Sequence, residues 1–201
     1  MNRRSVLGAG LAAVLLAACA GGPRVAGPPS RSLAVPNADM PILAPAAVPG
    51  VPSTTSVLTA GELGKDAPVP GLAQRIASWG YLDGRQRTFQ GESRLLTTVI
   101  SRSLVFRSAG GAADYVGFVR AHAGAFFGTA VRVHGLIAQG RRGWVFLPAP
   151  CACHLANPVL VGVLHLGRSI VWLEINGPSA TRSELVRLLD PARSAPATIA
   201  G

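Results

Sequence analysis

The sequence predicts an α+β domain, an antiparallel sheet with helices packed on it, after a disordered tether rich in proline and alanine. Three observations carry this. Runs rich in Thr, Val, Ile and Phe follow one another across short turns, which favours antiparallel pairing. One stripe at helical spacing, Ala112, Val116, Val119, Ala123 and Phe126 or Phe127, divides those runs into two groups. The last two runs flank Gly167-Arg168, which suits a tight two-residue turn with glycine first.

In chain order, Leu72, Ile76 and Trp79 fall at i, i+4 and i+7 with Gly80 behind them, a short helix with its stop. Residues 85–90 and 95–107 read as strands joined at Gly91-Glu92, and 109–127 as the main helix. Two further strands, 131–138 and 143–147, lie around Gly140-Arg141-Arg142. Strands 159–166 and 169–176 form the clearest hairpin, and its turn fixes the register. Leu160, Leu164 and Leu166 share a face with Val171, Leu173 and Ile175, which is expected to be the core face. The opposite face carries His165, Ile170, Trp172 and Glu174 and is expected to be half polar and only partly covered. Thr181-Arg182-Ser183-Glu184 is a capping box that starts a final helix with Leu185, Leu188 and Leu189 on one side and Pro191 behind it. Aromatic residues are only 5%, so the core must rest on Leu, Val, Ile and Ala.

Residues 1–18 read as a targeting segment. Arg3 and Arg4 form a positive n-region, and residues 6–18 an apolar run too short for a permanent membrane helix. Leu16-Ala17-Ala18-Cys19 resembles the lipobox of bacterial lipoproteins. That resemblance implies a diacylglycerol on the Cys19 thiol, palmitate among the acyl groups of the lipid anchor, cleavage before Cys19, and attachment to the extracytoplasmic face of a cell membrane, in the periplasm or at the cell surface. Arg3-Arg4-Ser5-Val6-Leu7 is similar to the twin-arginine export motif, although an ordinary secretory leader also carries two arginines. Residues 19–56 are expected to be the lipidated cysteine and its tether, because prolines recur every few residues and no apolar period survives. The domain is then expected over 57–191, with 192–201 a disordered tail.

The charge is +10, from 18 Arg and the single Lys65 against nine carboxylates. Beyond the leader the arginines are scattered, and only Arg141-Arg142 forms a local pair. No basic run of the nucleic-acid type exists, so nucleic acid is not an expected partner. Arg, Ala, Gly and Pro all use GC-rich codons, which accounts for the composition without a partner; an affinity for anionic lipid headgroups is the alternative.

Gly80-Tyr81 with Arg87 and Phe89, Val105-Phe106 leading into Ala109 and Ala112, and the Gly167 hairpin with its closing helix resemble the small domains of actinobacterial lipoproteins of the PsbP-like or sensor-domain kind. Those families have no common catalytic set, so the resemblance implies a fold and no activity.

Chemistry-bearing residues are few. Cys151-Ala152-Cys153-His154 holds the only thiols besides Cys19. A local disulfide across one residue would be strained and easily reduced. Two thiolates and an imidazole would suit Zn²⁺ or Cu(I), with a fourth ligand from His165, His134 or His122. An inert loop or an intermolecular bond is the third reading. His165, Trp172 and Glu174 on one sheet face could line a ligand pocket, and His122 reads as a helix-surface residue. No nucleophile elbow, phosphate loop, dinucleotide fingerprint or zinc-protease helix occurs, and no carboxylates are closely paired, so no catalytic residue is assigned and no cofactor is required. The expectation is a non-enzymatic envelope domain that binds a small-molecule ligand or protein partner. A redox or metal lipoprotein using Cys151, Cys153 and His154 is the alternative, and a structural protein acting through its basic surface a third.

Overall fold

The computed structural model describes residues 41–91, 96–138, 140–149, 158–190 and 194–195. Seven strands form one antiparallel sheet in the order β2-β3-β4-β8-β7-β6-β5. These are β2 (Ser53–Val57), β3 (Tyr81–Gln90), β4 (Thr98–Phe106), β5 (Arg132–Ala138), β6 (Arg141–Leu147), β7 (Val159–Leu166) and β8 (Ser169–Asn176). The sheet is thus two meanders, β2-β3-β4 and β5-β6-β7-β8, joined where β4 pairs with β8. Helices α1 (Ala60–Leu63) and α2 (Leu72–Ser78) precede β3, while α3 (Ala109–Ala121) and α4 (Ala123–Phe127) carry the chain from β4 to the far edge at β5. The last helix is α5 (Arg182–Leu188).

The expected hairpin is present residue for residue. Leu166 pairs with Ser169 across the turn, and Gly167 has φ +64°, which an L side chain rarely adopts. Leu160 faces Ile175 and Leu164 faces Val171, as the turn requires. These residues pack with Leu173, Leu185, Leu188 and Leu189 in the core between the sheet and α5.

The opposite face departs from expectation. It is a second core rather than a partly covered surface: Ile170 is 0% exposed and Trp172 3%. Leu104, Phe106, Phe146, Val161 and Val163 pack there against Ile76, Tyr115, Val116 and Val119 of α2 and α3. A sheet with helices on both faces buries both alternations of its central strands, so His165 and Glu174 are exceptions on an apolar face.

The main helix is also not continuous. His122 has φ −111° and ψ 25°, which ends α3 and begins α4. Its ring stacks on Phe118 at 3.9 Å, and its Nδ1 lies 3.0 Å from the Phe118 carbonyl, which also accepts from the His122 amide. The residue caps the last turn of α3. Ser108 and Thr181 cap the starts of α3 and α5 through the amides of Gly111 and Glu184.

Two boundaries are corrected. Residues 41–56, expected as tether, belong to the domain. Strand β1 (Ile42–Leu43) and the 3-10 turn Pro45–Ala47 lie against the α5 face, and β2 forms a sheet edge paired with β3. Ile42 is 0% exposed; the Leu43 amide donates to Ser101 Oγ at 3.0 Å, and its carbonyl accepts from buried Arg87. Hydrogen bonds from distant strands therefore order a segment with no periodicity of its own. Within the expected tail, Ser194–Ala195 forms β9, which pairs with β1. Cys19, Cys151, Cys153 and His154 lie outside the described residues.

Candidate functional site

His165, Trp172 and Glu174 do share one sheet face, since they pair with Ile170, Val163 and Val161 respectively. The structure nevertheless divides them between two cavities. Trp172 and Glu174 line a small one of about 170 Å³, together with Asp66, Arg102, Phe126 and Phe127. Arg102 organises it. Its Nη1 lies 2.6 Å from Asp66 Oδ2, its Nε donates to Gln86 Oε1 at 2.7 Å, and its guanidinium lies 5.6 Å from the centre of the Trp172 ring. Burial pushes the Asp66 carboxyl above the usual carboxylate range, and Arg102 opposes that. Glu174 is raised as well, first by burial, with Arg102 lowering it and Asp66 raising it further. Arg102 is already committed to Asp66 and Gln86, so this cavity is best described as a polar pocket inside an apolar layer.

His165 lines a much larger groove of about 800 Å³. Its origin is geometric. Helix α3 packs on the centre of the sheet, over β4, β8 and β7. A helix is about 10 Å wide while neighbouring strands are spaced about 4.8 Å, so one helix cannot cover the outer strands as well. The gap between α3 and the β5-β6 margin is the groove. Ala113, Val116, Gly117 and Arg120 of α3 form one wall. Gly135, Leu136 and Ile137 of β5 and Arg142, Gly143 and Trp144 of β6 form the floor and the far side, and Arg182 enters from α5.

Among the described residues, the lining carries three guanidinium groups and no carboxylate. The Arg120 guanidinium lies 4.0 Å from the centre of the Trp144 ring, a cation–π contact that holds it over the tryptophan. Arg182 Nη2 donates to the Gly135 carbonyl at 2.7 Å, which occupies a backbone acceptor on an edge strand and fixes the Arg182 side chain at the rim. His165 Nε2 is buried and has no hydrogen-bond partner among the described residues. A buried polar atom without a partner is costly, and here it belongs to a residue lining a groove. Ile137, beside these cations on β5, is 70% exposed.

His122 and His134 do not join His165. His122 is committed at the end of α3, and His134 pairs with Val145, on the alternation of β5 opposite to Gly135 and Ile137. Among the described residues no cluster of three His, Cys, Asp or Glu side chains could hold a metal. Sequence reasoning found His165 but missed Arg120, Trp144, Arg142 and Arg182 as a set. The one available signal was glycine inside otherwise regular elements, Gly117 in a helix pattern and Gly135 in a strand pattern.

No family model matches the chain, and no curated protein matches it. Among solved structures, the chain is similar to the extracellular domain of PknH from Mycobacterium tuberculosis, at 12% identity and a TM-score of 0.34, over 71% of this chain and 79% of that one. No helix among the described residues is long and apolar enough to cross a membrane.

Proposed function

We propose that this protein is a lipid-anchored, extracytoplasmic binding domain that takes an anionic ligand in the groove between α3 and the β5-β6 margin. The observation that carries the reading is the groove itself: an open volume of about 800 Å³ whose charged lining is Arg120, Arg142 and Arg182, with no opposing carboxylate among the described residues. Arginine forks match carboxylate and phosphate oxygens in pairs, and a ligand bonding to several at once gains both strength and orientation. The site has cations and apolar surface but no nucleophile paired with a base, which supports binding rather than turnover. Attachment to the membrane through Cys19, and the location that follows, rest on the lipobox-like leader.

The test is titration of the full-length protein with inorganic phosphate and pyrophosphate, followed by the fluorescence and indole resonance of Trp144. Saturable binding that weakens with salt, and that falls at least tenfold in Arg142→Ala and Arg120→Ala, is expected. Binding that is absent, or unchanged in both variants, overturns the reading.

A further inference from the structure

The two walls of the groove carry glycines that the fold does not need. Gly117 lies within α3, where glycine is markedly less favourable than alanine. Gly135 lies within β5, where glycine weakens a strand. Neither has positive φ, so neither backbone demands glycine. A Cβ at either position would meet no atom within 4 Å. Nearby glycines behave differently. A Cβ on Gly111 would run into the Trp79 carbonyl, and one on Gly143 into the Val163 carbonyl, so close packing explains both. At Gly117 and Gly135 the missing side chains leave bare backbone facing open space, one from the helix wall and one from the strand.

We propose that the ligand is an anionic sugar, a pyranose bearing a phosphate or carboxylate, with its ring against Gly117 and Gly135 and its charge on the arginines. This rests on the groove being an anion site. A saturated ring is thick and has hydroxyl groups around its edge, so it needs bare walls for its body and many donors and acceptors at its rim. The glycines give the first. Guanidinium groups and the backbone of an edge strand give the second. The apolar surface of exposed Ile137 suits the C–H face of such a ring. A nucleotide fits less well, because the base needs a free aromatic face, and Arg120 already covers a face of the lining tryptophan, Trp144. An acyl chain fits less well too, because the groove lies open to solvent along a sheet margin rather than forming a closed tunnel.

The test uses the full-length protein with five probes by calorimetry: glucose 6-phosphate, glucuronate, glucose, inorganic phosphate and AMP. Glucose 6-phosphate and glucuronate are expected to bind at least tenfold more tightly than inorganic phosphate, AMP or neutral glucose. Gly117→Leu and Gly135→Leu, which fill the walls, should lose the sugar acids by at least tenfold and keep inorganic phosphate within twofold. Circular dichroism checks folding, and Gly117→Ala and Gly135→Ala serve if either leucine variant misfolds, with a smaller loss in the same direction. Sugar acids binding no better than phosphate, AMP binding best, or glycine variants that bind sugar acids like the parent would each overturn this proposal and leave the anion site standing. If neither phosphate nor any anionic probe binds the parent protein, the anion site falls and this proposal with it.

Discussion

Arg120 lies with its guanidinium 4.0 Å above the ring of Trp144, so a helix cation and a strand aromatic close one side of the groove together. Arg120 is exposed, and an exposed stack of this kind contributes about 0.5–1 kcal/mol. Arg120→Ala is therefore expected to lower stability by no more than about 1 kcal/mol in urea unfolding while weakening phosphate binding at least tenfold. Arg120→Lys should restore the charge but not the flat stacked fork, so stability should recover more than affinity. A large stability loss in Arg120→Ala would make the residue structural and remove it from the site.

Two glycines in one helix should respond in opposite directions to the same change. A Cβ on Gly111 would collide with the Trp79 carbonyl, whereas one on Gly117 would meet nothing within 4 Å. Gly117→Ala is expected to stabilise the protein by about 0.5–1 kcal/mol through helix propensity and a restricted unfolded chain. Gly111→Ala should destabilise it by about 1–3 kcal/mol, since backbone must move to admit the methyl. Thermal unfolding of both decides the matter, and a destabilised Gly117→Ala would show that α3 requires that glycine after all.

The carboxyls around Arg102 set a pH dependence of unusual sign. Burial raises both Asp66 and Glu174 above the ordinary carboxylate range. The folded state then holds protons that the unfolded chain releases near pH 4. Stability contributed by these groups is greatest at low pH and falls as pH rises from the ordinary carboxylate value through the raised folded values. Glu174→Gln, which needs no charge in the pocket, should be more stable than the parent at pH 7 and equal to it near pH 4. Urea unfolding between pH 4 and 7 measures this. A Glu174→Gln protein weaker than the parent at pH 7 would mean that the Glu174 charge is satisfied in the fold.

Local chemistry made the hairpin of β7 and β8 legible. Gly167 selects the turn, the turn selects the register, and the register fixes the partners of every leucine. His165, Trp172 and Glu174 were legible as neighbours on one face for the same reason. That α3 and α4 would bury Trp172 yet leave His165 at a groove was not legible, because it depends on how far one helix reaches across seven strands. The groove arginines were invisible as a group because nothing local ties Arg120, Arg142 and Arg182 to one another among the 18 arginines of the chain. They come from α3, β6 and α5 and meet only in the tertiary structure.

The segment before residue 57 gives the sharpest test of where the domain begins. Leu43 sits 3% exposed, its amide bonded to Ser101 and its carbonyl to Arg87, which also donates to Thr55 Oγ1 at 3.0 Å. Arg87 is a buried cation, and burial lowers its pKa, so those acceptors offset the cost of placing it there. A chain starting at residue 58 would lose β1 and β2, uncover Phe89 and leave the Arg87 guanidinium without either acceptor. It is expected to lose cooperative unfolding or aggregate, whereas a chain starting at 41 should unfold as cooperatively as the parent. Arg87→Met isolates one contact in the intact chain. It leaves the buried Leu43 carbonyl without this donor and should cost about 1–3 kcal/mol. If the chain starting at 58 unfolds with the parent's midpoint and slope, the proline-rich segment is only laid on the domain and contributes nothing to holding it together.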